Sequence, residues 1–231
     1  MNKIEWIFFD VGSTLMNEEI PFKRKFEEIS KKANVLFEEV YEKAIEFYKD
    51  NKKGDIEVAR VYNVDYGEWD NTGESLYSEA LDSLKQLASK YKIGIIANQP
   101  PGTATRLKES GIMDYISLVI SSAEEEVKKP DERIFKLALE KGKCKAENSI
   151  MVGDRIDNDI IPAKKLGFST IWIRQGFGGK YWDLDEEEKK QIDYIVSSLD
   201  EIVTLLDRDI DKESDRYVKN GNGVFSCSNS L

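Results

Sequence analysis

Apolar residues run unbroken from Trp6 to Phe9, and Asp10 follows them directly. A short apolar run cut off by a polar residue is the pattern of a strand buried on both faces. Similar runs recur at Lys92–Asn98, Ile116–Ile120, Ser149–Asp154 and Thr170–Ile173, with a short one at Asp193–Val196. Helical spacing fills the gaps between them. Leu76, Ala80, Leu84 and Leu87 predict one helix. Pro100 and Pro101 open a second, which Gly111 ends, and Pro130-Asp131 opens a third through Ile134, Leu137, Ala138 and Leu139 to Gly142. Further helices are predicted up to Leu166 and from Leu199 to Leu206. Strands alternating with helices imply an α/β fold: a Rossmann-like parallel sheet with helices on both faces.

One stretch breaks the alternation. Phe22, Phe26, Ile29 and Ala33 recur at helical spacing, and Leu36, Val40, Ala44, Ile45 and Tyr48 repeat it. Lys52-Lys53-Gly54-Asp55 reads as a turn, followed by a third helix from Ile56 to about Val61. No strand is predicted from Met16 to about Asn71, and Tyr62, Tyr66 and Trp69 read as core of this helical block. The expected organisation is therefore a core from residues 1–15 and 74–206, an inserted α-helical cap over 16–73, and a polar, pattern-poor tail over 207–231. The glycines at 176, 178 and 179 are too few for a nucleotide loop and read as a plain turn.

Charge narrows the functions. Forty-four acidic residues against 34 basic give a net charge of -10. No basic cluster interrupts the mixture, which disfavours nucleic acid and anionic membranes as partners. No apolar run is long enough to span a bilayer. Met1-Asn2-Lys3-Ile4-Glu5 leads straight into a strand rather than a secretory leader. Cys144 and Cys227 lie far apart with no metal spacing, so a reduced, cytoplasmic setting is expected. The chain has no histidine, so carboxylates and lysines must carry any acid–base or metal chemistry.

The predicted strand ends supply such groups: Asp10, Asn98 and Asp154, with Asp159 five residues on and Lys128-Lys129 in a loop before a helix. In open α/β sheets the carboxyl ends of strands converge on the ligand crevice. Clustered carboxylates repel unless a cation lies between them, and a hard oxygen donor set favours Mg²⁺. Mg²⁺ with a lysine makes a clamp for a phosphoryl group, and a free carboxylate beside it can attack phosphorus.

Four segments together resemble the haloacid dehalogenase superfamily, in its Mg²⁺-dependent phosphatases with a helical cap. They are Phe8-Phe9-Asp10-Val11-Gly12-Ser13-Thr14-Leu15, Gly94-Ile95-Ile96-Ala97-Asn98, Lys129-Pro130-Asp131 with Ile134-Phe135, and Val152-Gly153-Asp154 through Asp159-Ile160 with Ala163 and Leu166-Gly167. The resemblance implies a phosphohydrolase acting on a small phosphorylated metabolite through an aspartyl-phosphate on Asp10. It implies Mg²⁺ held by Asp10, the backbone carbonyl of Gly12, Asp154 and Asp159, the last through water or by holding the lysine. Thr14 and Asn98 would bind the phosphoryl oxygens, and Lys129 would neutralise charge.

Two positions depart from the pattern. Gly12 stands where such phosphatases carry a second aspartate that protonates the leaving oxygen and then activates water. Ala97 stands where a hydroxyl normally donates to the phosphoryl group. General acid–base catalysis is worth about 10²–10⁴-fold, so slow turnover of alkyl phosphates is expected. Glu18 and Glu19 follow the motif and could supply the acid, although an exposed loop carboxylate ordinarily has no such role. Two alternatives accompany the phosphatase reading. One is a catalytically impaired phosphate-binding regulator. The other is a phosphonate C–P hydrolase using a cap lysine, with Lys23, Lys25, Lys31 and Lys32 as candidates and Lys52 and Lys53 read as a solvated turn.

Overall fold

Trp6 to Phe9 form the central strand, and all four side chains are buried. Pleating sends Ile7 and Phe9 to one face and Trp6 and Phe8 to the other, so each face receives its own helical layer. A computed structural model describes residues 3–207, and the predicted tail beyond Asp207 lies outside the described residues.

In chain order the elements are β1 (Trp6–Phe9), β2 (Met16–Asn17), α1 (Glu19–Ala33), α2 (Phe37–Lys49), α3 (Gly54–Val61) and β3 (Ser75–Leu76). They continue with α4 (Ala80–Ala88), β4 (Lys92–Ala97), α5 (Thr103–Glu109), β5 (Leu118–Ser121), α6 (Ser122–Glu125) and α7 (Glu132–Gly142). The rest are β6 (Ser149–Gly153), α8 (Ile161–Lys165), β7 (Ser169–Ile173), α9 (Gly176–Tyr181), α10 (Glu186–Lys189), β8 (Tyr194–Val196) and α11 (Leu199–Asp207). A π-helical turn, Ile156–Ile160, precedes α8.

The main sheet is parallel, in the order β5-β4-β1-β6-β7-β8. Successive strands step outward from β1 in one direction and then, from β6, in the other. That reversal opens a crevice at the carboxyl ends of β1, β4 and β6. One face packs on α4 and α11 through Leu84, Leu87, Leu199 and Ile202, the other on α7 and α8 through Phe135, Ala138 and Ala163. Each buried Leu, Ile or Phe among them contributes about 1.5–3 kcal/mol.

Between β2 and β3, α1–α3 share an aromatic core of their own with Phe26, Tyr48 and Val58 at its centre. Where the sequence predicts no strand, Met16 pairs with Leu76 and Asn17 with Ser75 in antiparallel register. The same pairing takes Leu76 out of the predicted helix, which begins at Ala80. Two-residue strands are too short to show a period. The predicted strand Ile116–Ile120 is likewise shifted, because Met113–Tyr115 form a 3₁₀ turn before Leu118. The glycines read as a plain turn belong to α9, whose Phe177 inserts into the aromatic core of α1–α3. Its ring centroid lies 4.9 Å from Phe22 and 5.5 Å from Tyr48. Among the described residues no helix is long and apolar enough to cross a membrane.

Candidate active site

Asp10 follows β1 and its backbone N–H still donates to Val152, at 2.9 Å, so the carboxylate is fixed at the sheet's carboxyl edge. Asp154 stands at the same level after β6, where Trp172 Nε1 donates to its backbone carbonyl at 2.8 Å. The π-helical turn swings Asp159 back beneath Gly153, with no solvent exposure. Ligand oxygens of Asp10, Asp154 and Asp159 all lie within 4.8 Å of one another.

Lys129 enters from the loop between α6 and α7 and is buried. Its Nζ donates to Asp10 Oδ1 at 2.6 Å and to Asp159 Oδ1 at 2.5 Å. The other Asp159 oxygen accepts the Arg155 backbone N–H at 3.0 Å. Asn98, after β4, grips the Lys129 backbone from both sides: Oδ1 accepts its N–H at 2.7 Å, and Nδ2 donates to its carbonyl at 2.9 Å. Asn98 therefore positions the lysine as well as lining the cavity. Thr14 is fully buried, with its Oγ1 unpartnered, and does not line the cavity, whereas Ser13 does.

Burial sets the electrostatics. It pushes the Asp154 carboxyl well up, with the charges of Asp159 and Asp10 adding to the effect. It raises Asp159 to about 7, against the lowering influence of Lys129. Burial alone would lower Lys129, but Asp10 and Asp159 hold it above its ordinary value, so it stays a cation. Arg155 lies near Asp154 but its side chain is paired with Asp157. Among the described residues Lys129 is therefore the one cationic side chain hydrogen-bonded within the cluster of three buried carboxylates, and ionising all three leaves negative charge uncompensated. Oxygens sharing one Mg²⁺ at about 2.1 Å lie up to about 4.2 Å apart, close to the spacing seen, and neither histidine nor thiolate competes. The residues fit a hard divalent cation.

These shifts predict an inverted pH response in the metal-free protein. The folded carboxyls bind protons up to about pH 7–8, the unfolded ones only to about pH 4, so folding takes up protons in between and stability falls as pH rises. Thermal melts in chelator are expected to drop from pH 5 to pH 8. Mg²⁺ should raise the melting temperature more at pH 8 than at pH 5, because its ligands must be deprotonated. A flat profile would contradict this.

Glu18 lies between β2 and α1, partly buried rather than exposed, and lines the cavity. Ser13 Oγ donates to its Oε2 at 2.9 Å. A Cβ placed on Gly12 would stand only 2.7 and 2.8 Å from its two carboxylate oxygens. Burial, with the charges of Asp10, Glu74 and Asp55, pushes its carboxyl up to about 8 despite the Ser13 hydrogen bond. Glu19 is exposed in the first turn of α1.

The cavity, about 330 Å³, extends from these groups to the helical block, where Phe22, Tyr48, Lys53, Asp55, Tyr66 and Trp69 line it. Asp55 is buried and accepts hydrogen bonds from Tyr48 at 2.9 Å and Tyr66 at 2.5 Å. Sequence reading missed Asp55, because it sits at a helix start where acidic residues are commonplace. It also missed Arg155, which lines the cavity, pairs with Asp157 and stacks over Trp182. Trp69 and Tyr66, expected as core, both reach the cavity, whereas Tyr62 packs against the aromatic core. Lys23, Lys25, Lys31 and Lys32 do not line it, and Lys25 is buried against Glu28 and two carbonyls. Lys53, read as a solvated turn, does line it.

Gly176 closes the site from behind. Its φ is 57°, and a Cβ there would collide with the Ser13 side chain. Left-handed strain and crowding together cost about 1–3 kcal/mol, so Gly176→Ala is expected to lower the melting temperature by several degrees. An unchanged melt would show that the Ser13 loop has room to move.

Comparison with known proteins gives a family description of haloacid dehalogenase-like hydrolase, matched over residues 4–167. A glyceraldehyde 3-phosphate phosphatase from Pyrococcus furiosus is 30% identical over 90% of this chain and 95% of its own. Another from Methanocaldococcus jannaschii is 36% identical, over 56% of each chain. Among solved structures, the HAD-hydrolase YfnB of Bacillus subtilis bound to magnesium aligns with a TM-score of 0.65 at 18% identity, covering 89% of this chain and 99% of that one.

Proposed function

The chain belongs to the haloacid dehalogenase-like hydrolases, and from that premise we propose that it is a Mg²⁺-dependent phosphatase of small phosphorylated metabolites, working in the cytoplasm through an aspartyl-phosphate on Asp10. The observation that carries this reading is the buried Asp10–Lys129–Asp159 array beside Asp154, which lines a cavity of about 330 Å³. That volume lies at the small end of ligand sites. A triose phosphate is the first substrate to test, because the Pyrococcus furiosus and Methanocaldococcus jannaschii relatives are glyceraldehyde 3-phosphate phosphatases.

Asp10, Asp154 and the Gly12 carbonyl would hold the metal, with Asp159 anchoring the lysine. Bound there, Mg²⁺ supplies positive charge for the phosphoryl oxygens and screens the carboxylates from one another. Lys129 holds one Asp10 oxygen, which orients the carboxylate. It also carries a permanent positive charge to where charge develops on the transferring group. Phe22, Tyr66 and Trp69 give the cavity an aromatic wall on the side of the helical block. The test is a panel of phosphate esters, glyceraldehyde 3-phosphate included, with Mg²⁺ and with chelator, on wild type and Asp10→Asn. Metal-dependent release of inorganic phosphate by wild type alone is expected. Release that is indifferent to chelator would count against the reading.

A further inference from the structure

We propose that Glu18 is the general acid and base of this enzyme, its carboxylate filling in space the position that Gly12 leaves empty in sequence. The proposal rests on the phosphatase reading above. Its geometry is specific. The two Glu18 oxygens stand 2.7 and 2.8 Å from where a residue-12 Cβ would be, so a side chain on Gly12 and the Glu18 carboxylate compete for the same place. Gly12 is thus the residue that makes room. Ser13, the next residue, fixes the carboxylate with a hydrogen bond of 2.9 Å. Ser13 adopts φ 56°, in the left-handed region that non-glycine residues seldom visit. That conformation is held where it presents its hydroxyl to Glu18.

The neighbouring carboxylates are committed elsewhere. Asp55 is held by two tyrosine hydroxyls. Glu74 pairs with Arg106 at 3.4 Å. Glu19 is exposed. Asp10, Asp154 and Asp159 make up the phosphoryl and metal array.

The chemistry balances on one proton. As an Asp10 oxygen attacks phosphorus, the bond from phosphorus to the leaving oxygen breaks and its electron pair stays on that oxygen. The Glu18 carboxyl gives it the proton, and the alcohol departs. The resulting Glu18 carboxylate then takes a proton from water while the water oxygen attacks the phosphorus of the aspartyl-phosphate. The bond to Asp10 breaks, its electron pair returns to the Asp10 carboxylate, and inorganic phosphate leaves. Glu18 is again protonated and Asp10 again free.

The experiment compares wild type, Glu18→Gln, Glu18→Ala, Gly12→Asp/Glu18→Ala and Asp10→Asn, each saturated with Mg²⁺, on an alkyl phosphate (glyceraldehyde 3-phosphate) and on para-nitrophenyl phosphate. Glu18→Gln keeps shape and loses the proton, so turnover of the alkyl phosphate is expected to fall about 10²–10⁴-fold. Nitrophenolate leaves without a proton, so that substrate should give a rapid burst of about one equivalent per enzyme and then slow release. A merely structural residue gives no such burst. The swap Gly12→Asp/Glu18→Ala should recover about tenfold or more over Glu18→Ala, because it returns a carboxylate to the same volume. Wild-type-like alkyl turnover in Glu18→Gln, with Asp10→Asn inactive, would overturn the role of Glu18. So would equal loss on both substrates without a burst. Activity surviving in Asp10→Asn would instead sink the Asp10 reading, and this role with it.

Discussion

Asp10→Asn is expected to lower phosphatase turnover on the order of 10⁴-fold or more, the scale of losing a nucleophile that works as part of a unit. The replacement is nearly isosteric, and its side-chain oxygen can still accept from Lys129, which now donates to Asp10 Oδ1 at 2.6 Å. Lys129 gives up one of its two anionic partners but keeps Asp159, while one charge fewer facing Asp154 and Asp159 eases a repulsion, so the melting temperature without metal should change little. Loss of activity with retained fold separates a chemical role from a structural one. Acid-quenched reactions with labelled substrate should trap phosphate on the wild-type chain and none on the variant. A variant within about tenfold of wild type would mean that a different group attacks phosphorus.

Lys129→Met should be the most destabilising single change in the site. Methionine roughly preserves volume and removes the cation that pairs with both Asp10 and Asp159. Breaking a buried pair by deleting one partner costs about 3–5 kcal/mol, because the remaining charges stay buried and unpaired. At about 2–4 °C per kcal/mol for a chain of this size, the melting temperature should fall by roughly 6–20 °C. The sign of the pH dependence identifies the cause. With its carboxyl at about 7, Asp159 takes up a proton as pH drops, so the penalty should shrink at pH 5 and be largest at pH 8. Added Mg²⁺ should return part of the loss by mass action. Equal destabilisation at both pH values would point to packing rather than charge.

Most of the main sheet was legible in the sequence. β1, β4, β6 and β7 are buried on both faces, so their apolar runs are nearly unbroken, and β1, β4 and β6 lead straight into Asp10, Asn98 and Asp154. Asp10, Asn98 and Asp154 come together because topology brings strand ends to one crevice, and the loop before α7 and the turn before α8 bring Lys129 and Asp159 to them. The β2–β3 ribbon was not legible, because two residues carry no periodicity. Nor was α9, whose three glycines look like a turn. They are small because the helix lies directly against Ser13, Asp154 and the backbone after β7. Glu18 was legible only as one of two neighbouring acids, with Glu19, that follow the first motif. Its distinguishing property is proximity to the space above Gly12, and a linear sequence does not record it.

Glu18 is also the last residue before α1, the first helix of the block that covers the crevice. A group at that point is carried by the lid, and the Ser13 hydrogen bond ties its carboxylate to the floor. Any swing of the helices about the β2–β3 ribbon would draw the proton donor away from Asp10, while the floor residues Asp10, Lys129, Asp154 and Asp159 stay assembled. Cleavage would then be interlocked with closure. An open enzyme could grip a phosphate ester without the means to expel its alcohol, and the covalent phosphoaspartate would be shielded from hydrolysis until the lid returned.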